Sequence, residues 1–324
     1  MKVANMAQQE TGTQESNWER QAIEKLAVAA IDEQRRARRW GIFFKSLAFA
    51  YLFILLFIGM GWMGKRDSSP GNHTALVEVN GIIAPNSSAS AENVSAGLQD
   101  AFKDKRTRGV ILRINSPGGS PVQAGHINDE IRRLRTKYPD TPLYAVVEDI
   151  CASGGYYIAV AADRIFVDKA SIIGSIGVLM DGFGFTGTME KLGVERRLLS
   201  AGENKGFLDP FSPVLEPQKE HAQQMLSQIH QQFVGVVRAG RGKRLKETPD
   251  MFSGLLWVGQ KGIELGLADA FGSVEYVARE VIKAEDIVDF TPRENVAERL
   301  AKRFGAGMAE GLVRFGVMEG MKFR

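Results

Sequence analysis

From Ser46 to Gly64 the chain carries no charged residue, and Leu52-Phe53-Ile54-Leu55-Leu56-Phe57-Ile58 lies at its centre. No polar face interrupts this run, which argues against a helix of a soluble core. With Gly41-Ile42-Phe43-Phe44 ahead of Lys45, residues 41–64 suit one bilayer crossing, which takes about 20 apolar residues. Upstream, Trp18 to Arg39 has helical spacing, with Ile23, Leu26, Ala27 and Ala30 on one side. Residues 1–17 are polar and read as disordered. A polar linker over 65–74 separates the span from a second pattern. There, apolar runs at Ala75–Val79, Gly109–Ile114, Leu143–Glu148 and Arg164–Val167 read as strands. Asn80-Gly81 turns the first of these into Ile82-Ile83. Between the strands, Val94, Leu98, Ala101 and Phe102, then Ile127, Ile131 and Leu134, have helical spacing. Strand and helix in alternation predict right-handed crossovers and an α/β fold with a mostly parallel sheet. Further on, Arg196-Arg197-Leu198-Leu199 is strand-like. Residues 216–238 form a long helix with Leu226, Ile229, Phe233 and Val236 inward. From Pro292, apolar positions at Val296, Leu300, Phe304 and Leu312 among basic residues predict an amphipathic helical tail, for a partner subunit, a membrane surface or its own domain.

Charge orients the span. Arg35, Arg36, Arg38, Arg39 and Lys45 lie on its amino side, against Lys65 and Arg66 after it. The positive-inside bias then puts residues 1–40 in the cytoplasm and the rest across the membrane. A cleaved signal peptide fits less well, because the charged leader and the apolar run are both too long. The net charge of +3 over 324 residues implies no broad nucleic-acid surface. A single cysteine, Cys151, excludes an internal disulfide framework and cysteine-based zinc clusters. The histidines, His73, His126, His221 and His230, are scattered, and neither a zinc-protease pair nor an ATP-binding loop is present.

The candidate chemistry lies where the third strand hands over to a helix, at Asp149-Ile150-Cys151-Ala152-Ser153-Gly154-Gly155-Tyr156-Tyr157. Ser153 there presents a hydroxyl beside the free N–H groups of a helix start. Acyl transfer needs such a nucleophile together with donors for the oxyanion. A capping serine followed by glycines that allow close packing is the alternative. A second small-residue turn, Asn115-Ser116-Pro117-Gly118-Gly119, also follows a strand and belongs at the same sheet edge. It can bring backbone N–H groups to Ser153 or serve as a plain tight connection.

Several stretches, taken together, resemble the signal peptide peptidase A family of serine peptidases. They are Asn115-Ser116-Pro117-Gly118-Gly119, Ala152-Ser153-Gly154-Gly155-Tyr156-Tyr157, Gly174-Ser175-Ile176-Gly177 and Glu203-Asn204-Lys205, with Trp257 to Asp269 after them. The resemblance covers residues 75–275. One span followed by one such domain is similar to the short, single-domain members. Mild departures are Gly262, where an alanine is usual, and Cys151 before Ala152.

The resemblance implies a crotonase-like/Clp-protease-like fold of repeated β-β-α units and a Ser/Lys dyad. Ser153 is then the nucleophile and Lys205 the general base, with Lys169 and Lys191 as competitors that only the resemblance ranks lower. A lysine, ordinarily with a pKa near about 10.4, acts as a base only when its charged form is disfavoured, as by burial. Phe207, Leu208 and Phe211 are candidates for that apolar surrounding. Ser175 is expected to orient the lysine amine, and backbone N–H groups of Gly118 or Gly119 and of Gly154 to bind the oxyanion. No cofactor and no metal are implied. The expected partners are apolar, signal-peptide-like peptides, the membrane through 41–64, and further copies of the chain in a ring or dome with sites at subunit interfaces. The expected organisation is a cytoplasmic segment at 1–40, the span at 41–64, a linker at 65–74, a peptidase domain at 75–285 and the tail at 286–324. The peptidase domain would lie on the external or periplasmic side of the cytoplasmic membrane. Two other functions compete: a crotonase-type acyl-CoA enzyme and a non-catalytic membrane scaffold.

Overall fold

The computed structural model describes residues 3–59 and 71–292. The amino-terminal segment and the apolar span as far as Gly59 form one continuous helix, α1 (Val3–Gly59); residues 60–64 of the span lie outside the described residues. The helix therefore extends through residues read as disordered from their polarity. Ala, Gln, Glu and Met, which favour helix, are common there, and elongation from an existing helix avoids the cost of a new nucleus. Its Glu24–Phe57 portion, with a mean hydropathy of 1.9 in its most apolar window, is long and apolar enough to cross a membrane. At its centre Trp40 packs against Phe43 and Phe44, with ring centroids 5.8 and 5.7 Å away.

The second compact unit is built on a sheet. Strand β1 (His73–Asn80) pairs in parallel with β2 (Thr107–Ser116), and β2 pairs in parallel with β3 (Leu143–Ala152). Helix α2 (Ala91–Lys103) connects β1 to β2, and α3 (Pro121–Lys137) connects β2 to β3. Both helices start at a serine whose hydroxyl accepts a backbone N–H of the first turn: Ser90 from Asn93 and Ser120 from Gln123. In β2, Val110, Ile111 and Leu112 are all buried, as expected of a strand covered on both faces. Alternate residues feed separate cores. Val77, Leu112 and Ala145 face α2 and α3 in the main core, whereas Leu76, Ile111 and Val146 join Phe166, Val274 and Val277 on the other side. Full burial of a side chain such as Leu98 or Ile127 contributes about 1.5–3 kcal/mol.

The sheet forks along β3. Its first half, Tyr144–Val146, pairs with β4 (Arg164–Val167). Its second half, Ile150–Ala152, pairs with β5 (Ile172–Gly174). At the fork Glu148 and Asp149 are exposed, and buried Ser171 donates its hydroxyl to the Glu148 carbonyl at 2.5 Å. Short helix α4 (Gly154–Ala159) leaves the end of β3, and α5 (Thr186–Lys191) lies in an otherwise irregular exposed arm. Long helix α6 (Glu216–Arg241) buries Gln218, Ala222, Phe233, Val237 and Arg241. Its inward stripe includes the expected Phe233, with Val236 only half-buried beside Val237. Strand β6 (Leu256–Val258) pairs antiparallel with β5, and α7 (Gly259–Glu264) follows. Strand β7 (Ala270–Phe271) adds to β4, and β8 (Ile287–Asp289) adds to β1. The sheet thus reaches beyond residue 285. The expected tail helix, from residue 293 on, lies outside the described residues. The result is an α/β fold with a mostly parallel sheet.

Two local expectations fail. Ile82-Ile83 does not turn back on β1; Ile83 instead makes a single parallel bridge with Gly119. Arg196–Leu199 forms no strand and finds no neighbouring strand in the arm, where Leu199 is 98% exposed.

Candidate active site

Register carries Ser153 to its position. The β3–β5 ladder ends at the Ala152–Gly174 pair, and the next N–H, that of Ser153, donates to the Gly174 carbonyl at 2.9 Å. The Ser153 carbonyl then accepts from Tyr157 N–H at 2.9 Å and starts α4. Ser153 itself has φ 51° and ψ −120°. A side-chain-bearing residue held there costs on the order of 1–3 kcal/mol, a strain that persists only where the surroundings impose it. Although Ser153 occupies the cap position, its hydroxyl caps nothing. The capping-serine alternative therefore fails, and Oγ is left for another role.

Two glycines close over this serine. Gly118 has φ +103° and Gly119 φ +148°, conformations that suit residues without a Cβ. A Cβ on Gly118 would sit 2.7 Å from Ser153 Cβ and 2.8 Å from Gly154 N. Ile83 fastens the turn by donating its N–H to Gly118 O at 2.9 Å and accepting from Ser120 N–H at 2.8 Å. Of the three candidate oxyanion donors, Gly118 is already engaged, because its N–H donates to Ser116 Oγ at 3.1 Å. Gly119 N lies 3.4 Å from the point where Gly154 would carry a Cβ. The Gly119 nitrogen thus lies close to Gly154, the residue that follows Ser153.

The surroundings hold α4 rigidly. Tyr156 is fully buried and donates its hydroxyl to Leu267 O at 2.8 Å. Burial pushes the phenol well above its usual range, so it remains a donor. Buried Asn128 on α3 donates to Tyr157 O at 2.7 Å. Beneath α4, buried Arg241 binds Asp269 through both terminal nitrogens, at 2.8 and 2.9 Å. Burial pushes the Asp269 carboxyl up. Hydrogen bonds and charge from Arg241, the Ile165 N–H and Arg244 outweigh this and hold it below the usual carboxylate range. Cys151, two residues before Ser153, is fully buried and its thiol is pushed far up by burial, which leaves it inert as a nucleophile.

Ser175 follows Gly174 directly, with φ 49° and its N–H on Leu255 O at 2.8 Å. It is half-buried, and the next residue's carbonyl, Ile176 O, accepts from His230 Nε2 at 3.2 Å. Lys205 lies in a turn on the exposed arm, with its N–H on Gly202 O at 3.0 Å. Its side chain is exposed, and no hydrogen bond joins Lys205 Nζ to Ser153 Oγ within the chain. The arm around it is nonetheless ordered by named contacts. Leu208 N–H donates to buried Gln218 Oε1 at 3.2 Å, Arg196 pairs with Asp209 at 2.8 Å, and Phe185 stacks on Phe211 at 5.5 Å. Phe207 and Leu208 are half-buried, whereas Phe211 stays exposed. Lys169 is set over the Phe271 ring, in a groove lined also by Arg113, Glu148 and Glu275. Lys191 is exposed on α5.

Sequence reasoning passed over Ser116, Asn128 and Tyr156. Ser116 and Tyr156 lie inside the quoted motifs, but their roles depend on partners such as Gly81 and Leu267 that are remote in the chain.

The model of peptidase family S49 matches residues 135–288. The chain is 31% identical over 221 residues to a Methanocaldococcus jannaschii protein named as a protease, MJ0651, covering 66% of this chain and 70% of that one. It is 30% identical over 223 residues to an Enterococcus faecium protein named as a signal peptide peptidase, SppA, covering 66% and 64%. A Brucella abortus protein named Na(+)/H(+) antiporter NhaA is 43% identical over 183 residues, and this chain spans only 25% of its length. With two-thirds of its length aligned to proteases of this kind and the S49 match running from α3 into β8, the chain belongs to peptidase family S49.

Proposed function

We propose that the protein is a membrane-anchored serine endopeptidase in which Ser153 attacks and Lys205, from a neighbouring copy of the chain, is the base. The observation that carries this reading is the strained turn at Ser153, whose hydroxyl is uncommitted beside the N–H groups of Gly119 and Gly154. In the first half-reaction, uncharged Lys205 Nζ takes the Ser153 proton as Oγ bonds to the scissile carbonyl carbon. The oxygen, now negative, accepts from the two glycine N–H groups. The lysine ammonium returns its proton to the departing amine, which leaves an ester on Ser153. Water, deprotonated by Lys205 Nζ, attacks that ester, and the lysine ammonium returns the proton to Ser153 Oγ as the acid product leaves.

The apolar arm supports a shared site. Leu179, Phe183 and Leu199 are 79%, 80% and 98% exposed in the single chain. Contact of such an arm with the next subunit would cover these side chains and shield the lysine from water. Ser175 then orients the amine. The substrates are apolar peptides of signal-peptide character. Residues 41–64 anchor the enzyme, and the basic flank at Arg35–Arg39 keeps the amino terminus in the cytoplasm and the peptidase domain outside.

The test is hydrolysis of a synthetic apolar peptide by the purified full chain. Ser153→Ala and Lys205→Ala should each abolish cleavage while leaving assembly intact. Mixed assemblies of the two variants should recover activity, because some interfaces then join an intact serine to an intact lysine. Unimpaired cleavage by either variant alone would overturn the assignment of that residue. A silent mixture that has demonstrably exchanged subunits would overturn the shared site.

A further inference from the structure

We propose that Ser116 is a positioning residue that sets the oxyanion turn. The inference rests on the reading of Ser153 as nucleophile. Ser116 ends β2 and is completely buried. Its hydroxyl donates to Gly81 O at 2.6 Å and accepts from Gly118 N–H at 3.1 Å. A hydroxyl has one proton to give, so the bond to Gly81 turns a lone pair toward Gly118. Gly81 is itself held, its N–H donating to Asn115 O at 2.9 Å.

The consequence concerns two peptide planes. The plane between Pro117 and Gly118 is pinned at its N–H by Ser116. The plane between Gly118 and Gly119 is pinned at its oxygen by Ile83 N–H, 2.9 Å away. In a trans peptide the N–H points opposite to the C=O, so Gly119 N–H is directed away from Ile83. Gly119 N itself lies 3.4 Å from the point where Gly154, the residue after Ser153, would carry a Cβ. Without the Ser116 bond the first plane is free to rotate, and Gly118, which tolerates positive and negative φ alike, passes that motion to the second plane against the single Ile83 bond. Rotation of the second plane would present a carbonyl oxygen to the developing oxyanion in place of a donor. Ser116 also removes Gly118 N–H from competition. It thus fixes which glycine donates, without touching substrate.

The experiment compares the full-length wild type with Ser116→Ala and Ser116→Cys. The readouts are kcat and KM on an apolar fluorogenic peptide and the affinity of a peptide boronate, which forms a tetrahedral anion on serine. Ser116→Ala should lower kcat by about ten- to a hundredfold, short of or near the loss of one oxyanion donor. KM should stay within about twofold, and boronate affinity should fall in parallel with kcat. The near-isosteric but weakly hydrogen-bonding cysteine should fall between. If Ser116→Ala does not fold, Ser116→Cys alone decides, by the same parallel loss of kcat and boronate affinity. Unchanged kcat and boronate affinity would overturn the inference, as would loss of kcat and KM together with a lowered melting temperature. A wild type that neither cleaves peptide nor binds boronate would overturn the Ser153 reading and this inference with it. An active wild type with unaffected variants would remove only the role of Ser116.

Discussion

Gly118→Ala adds one methyl group between the two halves of the candidate site. That methyl would lie 2.7 Å from Ser153 Cβ, 2.8 Å from Gly154 N and 2.9 Å from Ala152 O. The first contact is about 0.8 Å short of the roughly 3.5 Å at which carbon atoms sit comfortably. Two of the three neighbours are backbone atoms held by the β3 end and by α4, so the glycine turn must give way. Alanine at φ +103° adds strain on the order of 1–3 kcal/mol. A displacement approaching 1 Å at a reacting centre costs about a hundredfold in rate. The expected outcome is therefore a fall in kcat/KM of about a hundredfold. The melting temperature should fall only by about 2–4 °C for each kcal/mol of strain. Progress curves on a fluorogenic apolar peptide and a thermal melt of the same preparation measure the two effects. A folded variant that cleaves within about threefold of wild type, less than 1 kcal/mol in barrier, would refute the reasoning that the turn and Ser153 form one rigid unit.

Two further predictions concern the frame beneath the site. Tyr156→Phe leaves the buried Leu267 carbonyl without its donor and should cost about 1–2 kcal/mol of stability in urea unfolding, with small effect on KM. Arg241→Met leaves the buried Asp269 carboxylate without its principal partner and should cost about 3 kcal/mol at pH 7. Asp269 is held below its unfolded value in the wild type, so the stability it contributes is present above about pH 4 and is lost as pH falls through the folded value. The gap between wild type and Arg241→Met should accordingly narrow on titration toward pH 4 and below. A gap that widens there would contradict the assignment.

The parts of the fold legible in the sequence are those where one residue's neighbours in the chain decide its fate. The apolar runs of β1, β2 and β4 and the helical spacing of α2 and α3 are of this kind. The end of β3 was not legible, because Glu148 and Asp149 interrupt the apolar pattern where the sheet forks and changes partners. Strand β8 is three residues long and exists through its pairing with β1, so local pattern gives it no mark. Arg196–Leu199 carries a strand-like pattern without a strand to pair with in its own chain. At the candidate site, the motif located Ser153 and its glycines. It gave no sign that Gly118 N–H is taken up by Ser116, whose hydroxyl is bonded across to Gly81. Nor does a hydrogen bond join Ser153 to Lys205 within one chain: the lysine is exposed, on an arm whose Leu179, Phe183 and Leu199 are exposed as well.

The most direct measurement of the central claim is mass spectrometry of the full-length protein after treatment with a fluorophosphonate, comparing wild type with Lys205→Ala. The account predicts a single adduct on the peptide that contains Ser153 in the wild type, formed far more slowly or not at all once Lys205 is removed. An adduct on another residue, or equal labelling of Ser153 with and without the lysine, would contradict it.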